Sequence, residues 1–426
     1  METTVRVGVL GCGNVGAALV GLVGEQGDAV AARTGLRLEV AAVAVRNLSK
    51  DRPVALPPGV VTRDASKVVA DPEVDVVVEL IGGIEPARTL VLTALEAGKP
   101  VITANKELLA NVGAELFAAA ERSGVDLLFE AAVAGGIPLI RALRESLAGE
   151  RITRVMGIVN GTTNYILTRM SEAGATYHEA LAEAQSLGYA ERDPTADVEG
   201  HDAGAKAAIL ATIAFGATVV AGDVYHEGIA GITPVDIDFA ARLGYVVKLL
   251  AVCEAVEGQV AVRVHPAMVP TAHPLASVRE SYNAVFVEGD AVGSLMLLGR
   301  GAGGRPTASA VLGDLVDAAA NLRSGAHASL GALRPAELRP VDELAGEYYV
   351  NLQVLDRPGV LRKVAEVFER HGVSIRSMEQ EGLGDEARLI LITHTAVERD
   401  LQAVLSDLRH LDVVDRVGTM LRVVGG

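Results

Sequence analysis

The first sixteen residues restrict the fold more than any other stretch. Val5 to Leu10 (VRVGVL) reads as a short buried strand, and Gly11-Cys12-Gly13-Asn14-Val15-Gly16 follows at once, ahead of a helix-like run. A strand that meets G-x-G-x-x-G and then a helix opens a doubly wound α/β sheet. In that setting Gly11 permits a tight turn, Gly13 lets the backbone approach a pyrophosphate, and Gly16 lets helix and strand pack closely. The N–H groups of the helix start, Asn14 and Val15 among them, then face the phosphates. A glycine-rich turn that binds nothing is the bland alternative, and the flanking strand and helix argue against it.

The next elements extend the same pattern. Leu38 to Val45 is a second strand ending at Arg46, with Lys50 shortly after. A free ribose 2′-OH usually meets an Asp or Glu at this strand end. Here Arg46 and Lys50 suit a 2′-phosphate through charge-assisted bonds, so NADP is favoured over NAD; a solvated loop pair is the alternative. Val74 to Leu80 and the run ending at Thr103-Ala104-Asn105-Lys106 are further strands, and Asp126 to Glu130 another, with helices between them. Alternation at this spacing means a parallel sheet, and ligands sit outside the carboxyl ends of its strands. Lys106 lies at one such end. As a surface residue at a helix start it would oppose the helix dipole.

A second stretch carries the chemistry. Gly188 to Leu210 packs Glu191, Asp193, Asp197, Glu199 and Asp202 into twelve residues, then enters a helix-like segment whose one cation is Lys206. Asp202 and Lys206, four apart, share a helix face. From Ala203 to Ala214 every residue except Lys206 and Thr212 is apolar, alanine or glycine. A helix apolar all round is a buried one, where an unpaired lysine is rare. A solvated Asp–Lys pair is the alternative.

Composition narrows the classes. Half of the 426 residues are hydrophobic but only 3% are aromatic, so the core must be aliphatic, which suits α/β layers. The net charge of −16, with no basic run, argues against nucleic acid or an acidic membrane as partner. Two cysteines, Cys12 and Cys253, make no disulfide framework and fit a reducing cytoplasm. No signal-type N-terminus or apolar run of about 20 residues is evident.

With these motifs in order, the chain resembles the homoserine dehydrogenases. The resemblance rests on GCGNVG at Gly11–Gly16, TANK at Thr103–Lys106, EAAVAGGIP at Glu130–Pro138 and NGTTNYI at Asn160–Ile166. GYAERDPTADVEGHDAGAK at Gly188–Lys206 and GRGAGGRPTASAVLGD at Gly299–Asp314 continue it. It implies NAD(P)-dependent interconversion of L-homoserine and L-aspartate 4-semialdehyde, a step of threonine and methionine biosynthesis. It further implies a Rossmann domain over residues 1–134, completed by a helix over 303–324 that begins near Gly303 at the cofactor. Residues 135–302 would form an α+β substrate and dimerisation domain with a mixed sheet, in a homodimer or homotetramer. The family's catalytic lysines map onto Lys106 and Lys206, and its substrate carboxylates onto Glu191 and Asp202. A monovalent cation, Na⁺ or K⁺, maps to Glu130 with carbonyls of Val133, Gly135 and Ile137.

The residues suit that reaction. Reducing an aldehyde needs a cation or proton donor at the oxygen where charge develops, and a lysine serves as both. Lys206 is the chosen donor, Lys106 reaches the nicotinamide end, and Glu191 is the better candidate for the substrate ammonium. Asp197 is a further substrate contact. Gly161 and Thr162 of the Asn160–Tyr165 turn line the pocket, unless Thr163 or Asn164 simply caps the helix that follows.

Residues 325–346 read as a linker and 347–426 as a βαββαβ unit that resembles an ACT domain. Asp356 to Leu361, with Gly359 and Val360, would be its effector loop, because helix-start N–H groups receive a carboxylate. The family association points to L-threonine. Two other readings compete. An aspartate-semialdehyde dehydrogenase would need a nucleophilic cysteine, and a non-catalytic sensor of NADP and an amino acid would not need the lysines.

Overall fold

The computed structural model describes every residue except Met1, Pro57, Pro58, Ala332, Leu383 and Gly426. The chain divides into two units: Met1–Val155, Ala205–Val224 and Asn283–Ala336 in the first, Met156–Gly204, Tyr225–Tyr282 and Glu337–Gly426 in the second.

The first unit holds the doubly wound sheet. Strands β1 (Thr3–Leu10), β2 (Leu36–Ala44), β3 (Val61–Thr62), β4 (Val76–Glu79), β5 (Val101–Thr103) and β6 (Leu127–Leu128) lie in the order β3-β2-β1-β4-β5-β6, all parallel. Helices α1 (Asn14–Thr34), α2 (Ala65–Ala70), α3 (Ala87–Glu96) and α4 (Lys106–Ser123) make the crossovers. The strand order reverses beside β1, which is where such sheets bind ligands. Val7, Val9, Leu19, Val76 and Ile102 are fully buried between the layers. A later helix, Gly304–Ser324, adds Ala308, Val311, Leu315 and Ala319 to the same aliphatic core.

The strand expected over 126–130 is shorter than its apolar pattern. β6 stops at Leu128, and Glu130 opens a 3₁₀ turn whose N–H goes to Asp314 Oδ2 at 2.8 Å. Asp314 is buried at 3% exposure, and desolvation pushes its carboxyl up to about 7 against the pull of the Glu130 N–H and the Arg141 guanidinium. The long helix is thereby pinned to the end of the sheet through one side chain.

The second unit is built on antiparallel pairing. Tyr245–Val256 pairs with Gln259–Pro270 in an unbroken register from Tyr245↔Pro270 to Val256↔Gln259. The C-terminal βαββαβ unit has strands Ala345–Leu355, Ile375–Gly382, Glu386–Thr393 and Val414–Val423, with helices Val360–Arg370 and Glu398–Leu408. Its antiparallel pairs put Ala345–Leu355 between Val414–Val423 and Glu386–Thr393, with Ile375–Gly382 outside. Val350, Leu352, Val364, Phe368, Leu401 and Val404 fill its own core.

The two sheets of this unit are continuous. Strand Gln259–Pro270 pairs in parallel with Val414–Val423 at Ala267↔Arg422 and Met268↔Val423. Arg422 is 7% exposed and binds Glu398 through Nε–H···Oε2 at 2.8 Å and Glu227 through Nη2 at 2.9 Å. The segment read as a linker is also tied down, since Val260 N–H donates to Glu337 O and Arg339 N–H to Val260 O.

Arg422→Met leaves Glu398, itself 3% exposed, without its ion partner. Breaking a buried pair costs about 3–5 kcal/mol. The expected result in thermal unfolding is a large drop in Tm, partly recovered by adding Glu398→Leu. A Tm equal to the wild type would show that the pair does not hold the seam.

Candidate functional site

In the first unit the glycine loop sorts its glycines by geometry. Gly11 has φ +99°, and a Cβ there would lie 2.6 Å from Leu80 O; one on Gly16 would lie 2.3 Å from Gly11 O. Both positions are required by close backbone approach. A Cβ on Gly13 would meet nothing within 4 Å, so packing does not explain this glycine. Gly13 is also the N-cap of α1 and supplies no side-chain cap, which leaves the first-turn N–H groups facing outward for an anion. The helix Gly304–Ser324 starts against this loop, Gly304 approaching Asn14 O so closely that a Cβ would lie 3.2 Å from it.

A cavity of ≈ 400 Å³ extends from Gly11 and Gly13 to Arg46, Asn47, Lys50, Arg52 and Arg63. Its described lining carries four cations and no carboxylate. Arg52 also shapes the loop, its guanidinium donating to Lys50 O at 2.8 Å and Asn47 O at 2.6 Å. Arg52 and Arg63 were not evident from the motifs. Arg52 comes from the β2–β3 loop, folded back on Asn47 and Lys50, and Arg63 directly follows β3, where the parallel pairing of β2 with β3 brings it to the strand end.

Glu79 and Lys106 occupy the neighbouring strand ends. Glu79 is fully buried, and its carboxylate accepts from Ile81 N–H at 2.6 Å, Gly82 N–H at 3.1 Å and the Thr103 hydroxyl at 2.6 Å. That fixes the turn after β4. Lys106 is the first residue of α4, half-buried, behind Asn105, whose Oδ1 caps Leu108 N–H and whose Nδ2 donates to Gly83 O.

Glu130 accepts from the N–H groups of Leu139, Ile140 and Arg141, the last two at 2.7 and 2.9 Å. The Ile137 carbonyl accepts from Leu139 N–H, and a Cβ on Gly135 (φ +53°) would lie 2.3 Å from Gly301 O. These bonds account for the turn as structure. Among the described residues no group of three or more His, Cys, Asp or Glu is placed to hold a metal.

In the second unit Asn160 follows the strand Ile152–Ile158 and caps α5 (Gly161–Ala173), its Oδ1 accepting Thr163 N–H at 2.9 Å. Thr163 and Asn164, the caps considered from sequence, lie inside the helix instead, because the cap must precede the first helical residue. A Cβ on Gly161 would lie 2.7 Å from Ser281 O, and the Thr162 hydroxyl donates to Tyr189 O at 2.7 Å, so α5 is tied to the Gly188–Leu210 stretch. Lys248, buried and pushed down to about 8 by desolvation, donates to Asn164 Oδ1 at 3.0 Å and secures the other side of α5.

The acidic stretch separates into classes. Asp202 is 8% exposed, Lys206 9%, and both lie one turn apart on the helix His201–Phe215. The solvated-pair alternative therefore fails. Asp197 is half-buried and shares a donor with Asp202, namely Asn160 Nδ2 at 2.7 and 2.9 Å. Asp193 is exposed and accepts from the Thr195 hydroxyl and N–H, which hold its carboxyl below the usual range. Glu191 is exposed, and its backbone carbonyl takes a bond from Gln185 Nε2. Asn160 as the link was missed, although its place before a helix start was visible.

Neither cysteine is a nucleophile. Cys12 is buried in the glycine loop, and burial pushes Cys253 up to about 12. The semialdehyde dehydrogenase alternative loses its one required group. No described helix is long and apolar enough to cross a membrane.

A parallel sheet with a phosphate-ready glycine loop, a buried lysine–aspartate helix and a βαββαβ module define a nicotinamide-dependent oxidoreductase with an attached ACT domain. Comparison with known proteins agrees in each part. The family model "Homoserine dehydrogenase, NAD binding domain" matches residues 11–130, "Homoserine dehydrogenase" residues 138–316, and "ACT domain" residues 348–413. A homoserine dehydrogenase of Corynebacterium glutamicum is 51% identical over 99% of this chain and 96% of its own. The crystal structure of one from Thiobacillus denitrificans has a TM-score of 0.95 at 41% identity, covering 100% of this chain and 99% of that one. A hyperthermophilic archaeal homoserine dehydrogenase in complex with NADPH has a TM-score of 0.64 at 30% identity, covering 74% and 98%. The chain belongs to the homoserine dehydrogenase family.

The glycine geometry gives a paired expectation. Gly16→Ala forces the α1 start off the loop and should lower Tm, by strain of roughly 1–3 kcal/mol. Gly13→Ala should lower Tm far less than Gly16→Ala, by no more than the loss of a glycine N-cap, while weakening NADPH binding in a fluorescence titration. Normal affinity in Gly13→Ala would remove the pyrophosphate from this loop.

Proposed function

We propose that this chain interconverts L-homoserine and L-aspartate 4-semialdehyde with NADP as the preferred cofactor. The observation that carries the reading is the buried Asp202–Lys206 pair, one turn apart on an otherwise apolar helix inside the stretch most specific to the family. A fold does not place a lysine there for packing. Bound nicotinamide supplies and accepts the hydride. Lys206 stabilises charge developing on the carbonyl oxygen and delivers the proton in the reducing direction, receiving it back in oxidation. Lys106, at the carboxyl end of β5, orients the substrate toward the nicotinamide end. Asp202, Asp197 and Glu191 supply the negative charge that an amino-acid substrate's ammonium requires, beside the pocket wall of Gly161 and Thr162.

The choice of NADP rests on Arg46, Lys50 and Arg63, all exposed at the cavity rim, and on Arg52 behind them. Four cations without a carboxylate suit a 2′-phosphate and leave a free 2′-OH without its usual carboxylate acceptor. The NADPH complex of the archaeal relative agrees with this. A monovalent cation at Glu130, Val133, Gly135 and Ile137 would have to use carbonyls of the turn, because the Glu130 carboxylate already accepts three N–H groups. Leu298 is 56% exposed on the strand Gly293–Arg300, an apolar position that suits association with a second copy.

The ACT domain is read as a threonine sensor. Gly359 has φ +88° and precedes the helix Val360–Arg370, and the Val360 N–H donates back to Arg357 O at 3.4 Å to close the Asp356–Gly359 turn. The start of that helix, with its positive dipole end, favours an amino acid's carboxylate.

Homoserine-dependent reduction of NADP⁺ at alkaline pH, repeated with NAD⁺, tests the function. The expected result is turnover with both and a lower KM for NADP⁺; no turnover with either would overturn the reading. Lys206→Ala should lower kcat by roughly two to four orders of magnitude while NADPH still binds. For the sensor, L-threonine at about 10 mM should lower activity or raise Tm. If neither moves, the ACT domain does not read threonine.

A further inference from the structure

One buried side chain near the acidic pair has two opposed duties. Asn160 is 4% exposed, and its Oδ1 accepts both the N–H (2.9 Å) and the hydroxyl (3.0 Å) of Thr163 at the start of α5. Those bonds fix which way the amide faces. Its NH₂ therefore points away from the helix, toward Asp197 Oδ1 at 2.7 Å and Asp202 Oδ2 at 2.9 Å. An amide nitrogen has two N–H groups, one for each carboxylate.

The two acids come from different elements. Asp197 lies in the short helix Thr195–Val198 and Asp202 in His201–Phe215, with Gly200 (φ +86°) turning the chain between them. Two carboxylate oxygens that share one nitrogen are close, and like charges this near repel unless a positive dipole stands between them. Asn160 supplies that dipole without adding charge.

We propose that Asn160 is a positioning residue that holds Asp197 and Asp202 in convergent register for the substrate's ammonium group. This rests on the reading that the chain acts on homoserine. The helix cap and the carboxylate contacts use different atoms of one side chain, so substitutions separate them. Asn160→Ser keeps a good N-cap but is too short to reach both acids. Asn160→Asp keeps the cap and the shape but turns an acceptor toward two acceptors. The charged groups bound to that amide are Asp197 and Asp202, and Lys206 follows Asp202 by one turn on the same helix.

The test is steady-state kinetics of the full-length wild type and both variants, with homoserine and NADP⁺ varied separately across pH. Both variants should raise the KM for homoserine roughly ten- to a hundredfold, the worth of a lost hydrogen bond to a charged group, with the KM for NADP⁺ unchanged. Asn160→Asp should regain kcat/KM relative to the wild type as pH falls, because the carboxyl introduced by that substitution, once protonated, donates one bond to the pair; Asn160→Ser should not. A cap-only role moves Tm and none of these ratios. An active wild type with homoserine KM unaltered in either folded variant overturns the proposal alone. An inactive wild type overturns the functional reading on which it stands.

Discussion

Asp202 and Lys206 sit on a helix with almost no polar face, and charge in an aliphatic interior must find its partners inside the protein. That requirement shapes the chain around them. Asn160 reaches across from the start of α5, Thr162 ties α5 to the acidic stretch, and Lys248 anchors the far side of the same helix. With few aromatic side chains to offer hydroxyl or indole donors, amides, hydroxyls and backbone groups carry this polar satisfaction. Elsewhere the same rule gives Asp314 its Arg141 and Arg422 its two glutamates.

Parts of the molecule were legible because their cause is local. A strand, three glycines and a helix are defined by neighbouring residues, and the tight contacts at Gly11 and Gly16 are the physical reason for the motif. The ACT unit was equally plain, since alternating strands and the amphipathic helices Val360–Arg370 and Glu398–Leu408 impose their own periods. The buried state of Lys206 followed from the residues flanking it. What stayed hidden depends on partners far along the chain. β6 ends early because Asp314, remote in sequence, takes the Glu130 N–H. Arg63 joins Arg46 only through strand order, and a cap at Asn160 looks like any other until its NH₂ is seen to reach Asp197 and Asp202.

The division of labour among acids is the clearest gain over pattern reading. Five carboxylates crowded into one stretch look interchangeable. The fold buries Asp202, half-buries Asp197, assigns Asp193 to a turn and leaves Glu191 exposed. Exposure alone does not disqualify Glu191, since a substrate can desolvate it on arrival. It does mean that the part of the acidic stretch already held in place is the Asp197–Asp202 pair, through the Asn160 amide.

The seam at Ala267↔Arg422 changes what kind of object the ACT domain is. Its fourth strand is also the next strand of the sheet that contains Gln259–Pro270, and Val424 N–H extends the join to Met268 O at 2.9 Å. An ordinary appended domain can be removed at its linker with little effect on its neighbour. Here removal would bare an edge of unpaired N–H and C=O groups on an apolar strand, the kind of surface that recruits other chains. The C-terminal strand therefore closes the edge of its neighbour, and a lineage that discarded the domain would have to blunt that edge at the same time.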